Sequence, residues 1–152
     1  MSKTSPTQRS LAYAKKQGFI AAVVEKWNPH MRIRQDLFGF ADLIVLDGKP
    51  GSALWQVTTG ANVSKRLTKM TDTTEEKAVR IYDKVIAWLK AGNRIEIHGW
   101  AKKGPRGKRK TWQLRIIKIR SSEFYGALFI DTPEFEGSNR ELEQSSSQHQ
   151  AL

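Results

Sequence analysis

Asp42, Gln56 and Thr58 are polar residues in a stretch otherwise built for the inside of a sheet, "GFADLIVLDGKPGSALWQVTTG", from Gly39 to Gly60. Asp42 opens a run of Leu, Ile and Val, and Gln56 and Thr58 stand two apart in the apolar run that follows. An acid beside such a run is costly unless something partners it. Residues two apart on a strand point to one face. If the two runs pair across "DGKPGS", Asp42 and Gln56 lie near each other. Carboxylate, amide carbonyl, hydroxyl and the main-chain carbonyl of Val57 then form an oxygen-only ligand set, which suits Mg²⁺ or Mn²⁺. A divalent ion beside positive charge lowers the pKa of a water and stabilises a departing oxygen, the chemistry of phosphodiester cleavage. Each residue also has a structural reading. Asp42 could bond main-chain N–H groups at a strand's start, and Gln56 and Thr58 could be a polar stripe on an edge strand.

The charge indicates what such a site would meet. Lys plus Arg is 26 against 15 acids, a net +11. Residues 121–152 hold six acids (Glu123, Asp131, Glu134, Glu136, Glu141, Glu143) and one base, Arg140. That stretch is −5, which leaves +16 on residues 1–120. So basic a domain attracts a polyanion, with DNA the leading partner and RNA left open. The bases are densest in "GWAKKGPRGKRKTW", where Lys102, Lys103, Arg106, Lys108, Arg109 and Lys110 lie between Trp100 and Trp112. Gly104, Pro105 and Gly107 keep this loop extended, as suits a segment that tracks phosphates. Arg32 and Arg34 add charge just before Asp42. Trp100 and Trp112 offer rings for stacking on bases or for packing at strand ends. His30 and His98 have no metal-ligand spacing with each other. The chain has no cysteine, which excludes disulfides, zinc fingers and thiol catalysis. No apolar run is long enough for a membrane span, and "MSKTSPTQRS" has no signal-peptide core. A cytoplasmic location is the expectation.

The elements that must position these residues follow from caps and periodicity. "SPTQRSLAYAKKQG" reads as a helix, with Ser5 as cap, Pro6 in the first turn, Gln8 completing a capping box and Gly18 as stop. "FIAAVVEKW" reads as a strand and "NPHMRIRQDLFG" as a polar connection. "FADLIVL" and "ALWQVTT" are the next strands, predicted to form an antiparallel meander with the first. "ANVSKRLTKM" predicts a short helix with Val63, Leu67 and Met70 on one side. "TDTTEEKAVRIYDKVIAWLKAG" predicts a long one, with a Thr73–Glu76 capping box and Ala78, Val79, Tyr82, Val85, Ile86 and Leu89 on its buried face. "NRIEIHGWAKK" and "KTWQLRIIKIR" are two further strands. The order αβββαβ plus one strand makes an α+β domain over residues 1–120, a mixed central sheet flanked by helices. Residues 121–152 form an acidic tail. Its "FYGALFIDTPEF" is apolar enough to dock, and "EGSNRELEQSSSQHQAL" has the composition of disorder.

This order, with an Asp opening the second strand and a polar pair on the third, resembles the PD-(D/E)XK nuclease superfamily, whose core is restriction-endonuclease-like. Within it, "DLFGFADLIVL…LWQVTTG" looks most like Holliday-junction-resolvase-like nucleases, including small phage-encoded members. The resemblance covers roughly residues 5–120 and rests on few positions. It implies a metal-dependent endonuclease acting on branched DNA, commonly as a homodimer. The family's first acid falls on Asp42, its acidic position on the third strand on Gln56 and its lysine on Thr58. The last two are departures: Gln56 brings no negative charge and Thr58 no ammonium. Glu25, at the end of the first strand, or Asp36, before Asp42, could add a carboxylate. Lys69 first, and Lys65 second, could reach in from the following helix. The alternative is a nuclease fold that holds nucleic acid without cutting it. The tail could cover the basic face, dock a protein partner or aid solubility.

Overall fold

The computed structural model describes residues 3–121, 128–130 and 134–136. The chain opens with α1 (Pro6–Lys16), whose start is set by Ser5: its Oγ accepts from the Gln8 N–H at 3.2 Å. Pro6 sits where a missing N–H loses no helical bond. Gly18, at φ +79°, turns the chain into β1 (Ile20–Val23). The strand expected over "FIAAVVEKW" is in fact divided. After β1 the chain passes Val24 and Glu25, and β2 (Lys26–Asn28) pairs with β3 (Ile33–Gln35) as a separate two-stranded ribbon. β3 lies inside the stretch expected to be an irregular connection. Turn chemistry builds the ribbon: Asn28 Oδ1 accepts from the N–H groups of His30 and Met31 at 3.0 and 3.2 Å, and Arg32 takes φ +52°.

β4 (Leu43–Leu46) and β5 (Ala53–Thr59) complete the expected meander, with Val23 opposite Leu43 and Leu43 opposite Trp55. A short 3₁₀ turn then leads to α2 (Val63–Thr71) and α3 (Glu76–Lys90). They cross back so that β6 (Arg94–Lys103) lies parallel to β5. The Thr73–Glu76 capping box does not form. The N-cap is Glu75, two residues beyond Thr73, and Asp72 Oδ1 accepts from the N–H and hydroxyl of Thr74 at 2.8 and 2.7 Å in the turn before it. β7 (Thr111–Ser121) runs antiparallel to β6. Two short strands, β8 (Leu128–Ile130) and β9 (Glu134–Glu136), both pair with β7. Of the tail segment expected to dock, residues 128–130 and 134–135 therefore do so through their backbone, and the rest lies outside the described residues. Of residues 136–152, expected to be disordered, Glu136 instead ends β9, and 137–152 lie outside the described residues.

The architecture is α+β, a mixed sheet in the order β1-β4-β5-β6-β7-β8 with helices on both faces. Strand alternation divides the core in two. Ala53, Trp55 and Val57 meet Leu43, Val45 and Ala14 beneath α1. Leu54 meets Val63, Met70, Val85, Ile95 and Ile97 beneath α2 and α3. On α3 the contacting stripe is rotated from the expected one: Val85 is buried, and Ile81 and Trp88 join Leu89 against the core. Gln56 and Thr58 continue the Leu54 row and are buried, at the end of β5 where the apolar core gives way to a cleft. Among the described residues no helix is long and apolar enough to cross a membrane.

Candidate metal and nucleic-acid site

Two local devices bring three acids together. The first is "DLFGFAD". Phe38 and Gly39 have φ +56° and +81°, and the Phe40 N–H donates to the Leu37 carbonyl at 3.1 Å. Positive φ at both central residues makes a type I′ turn, the turn that joins tight hairpins. Leu37 and Ala41 bridge across it, so Asp36 and Asp42, one step outside the bridge on either side, become neighbours. A bulky side chain at positive φ is strained. Phe38 is held there by Phe40 and Trp88, with ring centroids 6.4 and 6.2 Å away.

The second device is the β2–β3 ribbon. Its register sets Lys26 opposite Gln35, so one step further sets Glu25 opposite Asp36. The Val24 N–H donates to the Asp42 carbonyl at 2.9 Å, which ties Glu25 to the start of β4. In consequence Glu25, Asp36 and Asp42 each have a carboxylate oxygen within 4.8 Å of the others.

Asp42 Oδ2 accepts from Gln56 Nε2 at 2.6 Å and from the Val57 N–H at 2.7 Å. Val57, expected to offer its carbonyl, thus engages Asp42 through its amide. Gln56 is 2% exposed, and its Oε1 has no hydrogen-bond partner. A buried acceptor left unmet beside three carboxylates marks a place for a cation. Burial, then the charges of Asp36 and Glu25, push the Asp42 carboxyl up to about 7, against the Val57 N–H that pulls it down. Two cations reach the acids: Arg34 bonds Glu25 at 2.8 Å, and Lys69 Nζ stands 3.4 Å from Asp36. An all-oxygen set of three carboxylates and one amide carbonyl fits a hard divalent ion and fits poorly a metal that prefers nitrogen or sulfur.

The acids lie in an open cleft of about 930 Å³. Thr58 lines it, and Arg34, Arg66, Lys69, Lys77 and Lys84 supply its positive wall. Sequence reasoning reached Arg34 and Lys69 and missed the other three. The signal was helical spacing: Arg66 and Lys69 are three apart on α2, and Lys77 and Lys84 are seven apart on α3, on either side of Ile81. Lys65 does not line the cleft, and Arg32 lies in the turn of the ribbon. Lys102, Lys103, Arg106, Lys108, Arg109 and Lys110 also lie outside the cleft. Because β6 is parallel to β5, their loop springs from the sheet end that carries Thr58, as a second positive surface. The expected stacking rings are engaged within the fold. Trp100 Nε1 donates to Ser10 Oγ at 2.9 Å, and the Arg9 guanidinium lies 3.7 Å over Trp112.

No protein-family model matches the chain, and neither a curated protein nor a solved structure matches it. The fold and site themselves define its class: a mixed α+β domain with an acid cluster, able to hold a metal ion, in a cation-walled cleft.

Proposed function

We propose that this chain is a metal-dependent DNA endonuclease of the PD-(D/E)XK type, with a restriction-endonuclease-like core and a preference for branched DNA such as a Holliday junction. The observation that carries this reading is the convergence of Glu25, Asp36, Asp42 and the unmet Gln56 Oε1 in a cleft lined with lysine and arginine. These residues would hold Mg²⁺ or Mn²⁺, which when bound supplies Lewis acidity and an acidified water.

The chain's own groups account for the rest. Glu25 and Asp36 provide the negative charge that Gln56 lacks. Lys69, beside Asp36, brings the ammonium that Thr58 lacks, where it can bear on a phosphate oxygen. Arg34, Arg66, Lys77 and Lys84 hold the backbone, and the β6–β7 loop extends the grip. A homodimer would match two symmetric cuts on a junction, and the acidic tail would be its contact for a protein partner. Gln56 and Thr58 favour one second reading, a nuclease fold that binds nucleic acid without cutting it.

Cleavage of labelled junction, flap, duplex and single-stranded DNA, and of RNA, in Mg²⁺ and in Mn²⁺, separates the two. Cutting by the wild type, abolished in Asp42→Ala, is the expected result. Tight binding with no cutting by either protein establishes the binding module instead.

A further inference from the structure

The β2–β3 ribbon does more than deliver acids. Its register sets Trp27 opposite Arg34 and Lys26 opposite Gln35, and so, two steps inward from Trp27 and Arg34, Glu25 opposite Asp36. Trp27 is two residues from Glu25, so the pairs Trp27/Arg34 and Glu25/Asp36 share one face of the ribbon. Two strand residues span about 7 Å. The Trp27 ring therefore stands about one nucleotide out from the acid cluster, while the Arg34 guanidinium from the facing strand reaches back to Glu25 at 2.8 Å. The Trp27 residue is 57% exposed and the Arg34 side chain 71%, although a ring this large usually seeks burial. Trp55 is buried, Trp88 packs against the core, Trp100 bonds Ser10 and Trp112 lies under Arg9. Trp27 alone among the described tryptophans is exposed, and it stands opposite Arg34 and two residues from Glu25, both of which line the cleft.

We propose that Trp27 is a stacking platform for an unpaired nucleobase, next to the phosphate that the acid cluster engages, with Arg34 gripping the adjoining backbone. This deepens the nuclease reading and rests on it for the identity of that phosphate. Every base has a π-face, so stacking on Trp27 selects no sequence. It selects structure, because a base inside an intact duplex already has both faces covered. The ribbon is thus a specificity element that favours single-stranded or unpaired segments over continuous duplex.

The test is binding without metal, so that cutting plays no part. Anisotropy titrations would compare a single strand, a junction and an intact duplex, and 2-aminopurine in the single strand would report stacking by its quenching. Trp27→Ala is expected to weaken single-strand binding by about tenfold, the scale of one base–aromatic contact. It should abolish the quenching and leave duplex binding unchanged, while Trp27→Phe retains most of both signals. Equal losses on single strand and duplex, or no loss on either, overturn the platform. So does unchanged binding with a lower sedimentation mass, which would mean that a second copy of the chain covers the ring. Trp27-dependent binding in a protein that never cuts would remove the nuclease reading and keep the platform. Cutting with Trp27→Ala indistinguishable from wild type would do the reverse.

Discussion

Asp42 is the residue on which the site turns. It is buried, bonded to Gln56 and Val57, and crowded by Asp36 and Glu25. Its carboxyl titrates near 7 when folded against an ordinary 3.8. The unfolded chain therefore ionises first as pH rises, and this group costs the fold stability progressively between those two values and in full above them. Asp42→Asn keeps an oxygen for the Val57 N–H and removes the charge. In metal-free thermal melts above neutral pH, the variant should match or exceed the wild type. Mg²⁺ or Mn²⁺ should raise the wild-type midpoint and leave that of Asp42→Asn in place. Gln56→Glu tests the same crowding from the other side. A fourth acid should lower the metal-free melting temperature and move the metal titration to several-fold lower concentration. A variant that melts normally and binds metal no better would show that Gln56 lies outside the metal's reach.

At the scale of elements, the I′ turn at Phe38 and Gly39 sets the distance between Asp36 and Asp42. Gly39→Ala puts a methyl at φ +81°, with Ile81 Cγ1 3.2 Å from the new Cβ. Such a change costs about 1–3 kcal/mol. Urea denaturation should show that loss, and metal affinity should fall further because the acids move apart. A neutral Gly39→Ala would show that the turn is not the determinant. On the other face, α1 meets β6 through Ser10. Its Oγ accepts from Trp100 Nε1 at 2.9 Å and shares a hydrogen bond with His98 Nδ1, 3.2 Å away. His98 is fully buried against Trp55, and burial pushes its pKa down to about 3 from 6.5. The unfolded chain takes up this proton first, so its contribution to stability is complete above about 6.5 and is lost as pH falls toward 3. A chemical-denaturation series over that range should show the loss in the wild type and less of it in His98→Phe.

For the whole molecule, the decisive quantity is where the charge of +16 on residues 1–120 stands. Eleven of the 25 bases there gather in two places, the cleft, with Arg34, Arg66, Lys69, Lys77 and Lys84, and the β6–β7 connection, with Lys102, Lys103, Arg106, Lys108, Arg109 and Lys110. If both surfaces hold one nucleic acid, replacing Lys108, Arg109 and Lys110 together by Ala should flatten the salt dependence of binding. Each lost phosphate contact takes about 0.9 from the log–log slope. Intrinsic cleavage at saturating DNA should persist. An unchanged slope would confine nucleic acid to the cleft.

The sequence by itself determined the α+β order, the antiparallel meander, the helix limits at Ser5 and Gly18, and the facing of Asp42, Gln56 and Thr58. Caps and alternation are local properties and can be read locally. It also pointed to Glu25, Asp36 and Lys69 as substitutes for missing groups, but as separate possibilities. Only the tertiary structure decided that all three meet. Their meeting depends on a positive φ at Phe38, which composition does not announce. It depends also on a ribbon register fixed by Asn28, and on α2 being packed over β5. Packing of α1 on the opposite face engaged Trp100 through Ser10 and Trp112 through Arg9, and Trp27 was left bare. A tryptophan's neighbours come from distant segments, so its exposure is settled by the fold rather than by its place in the chain.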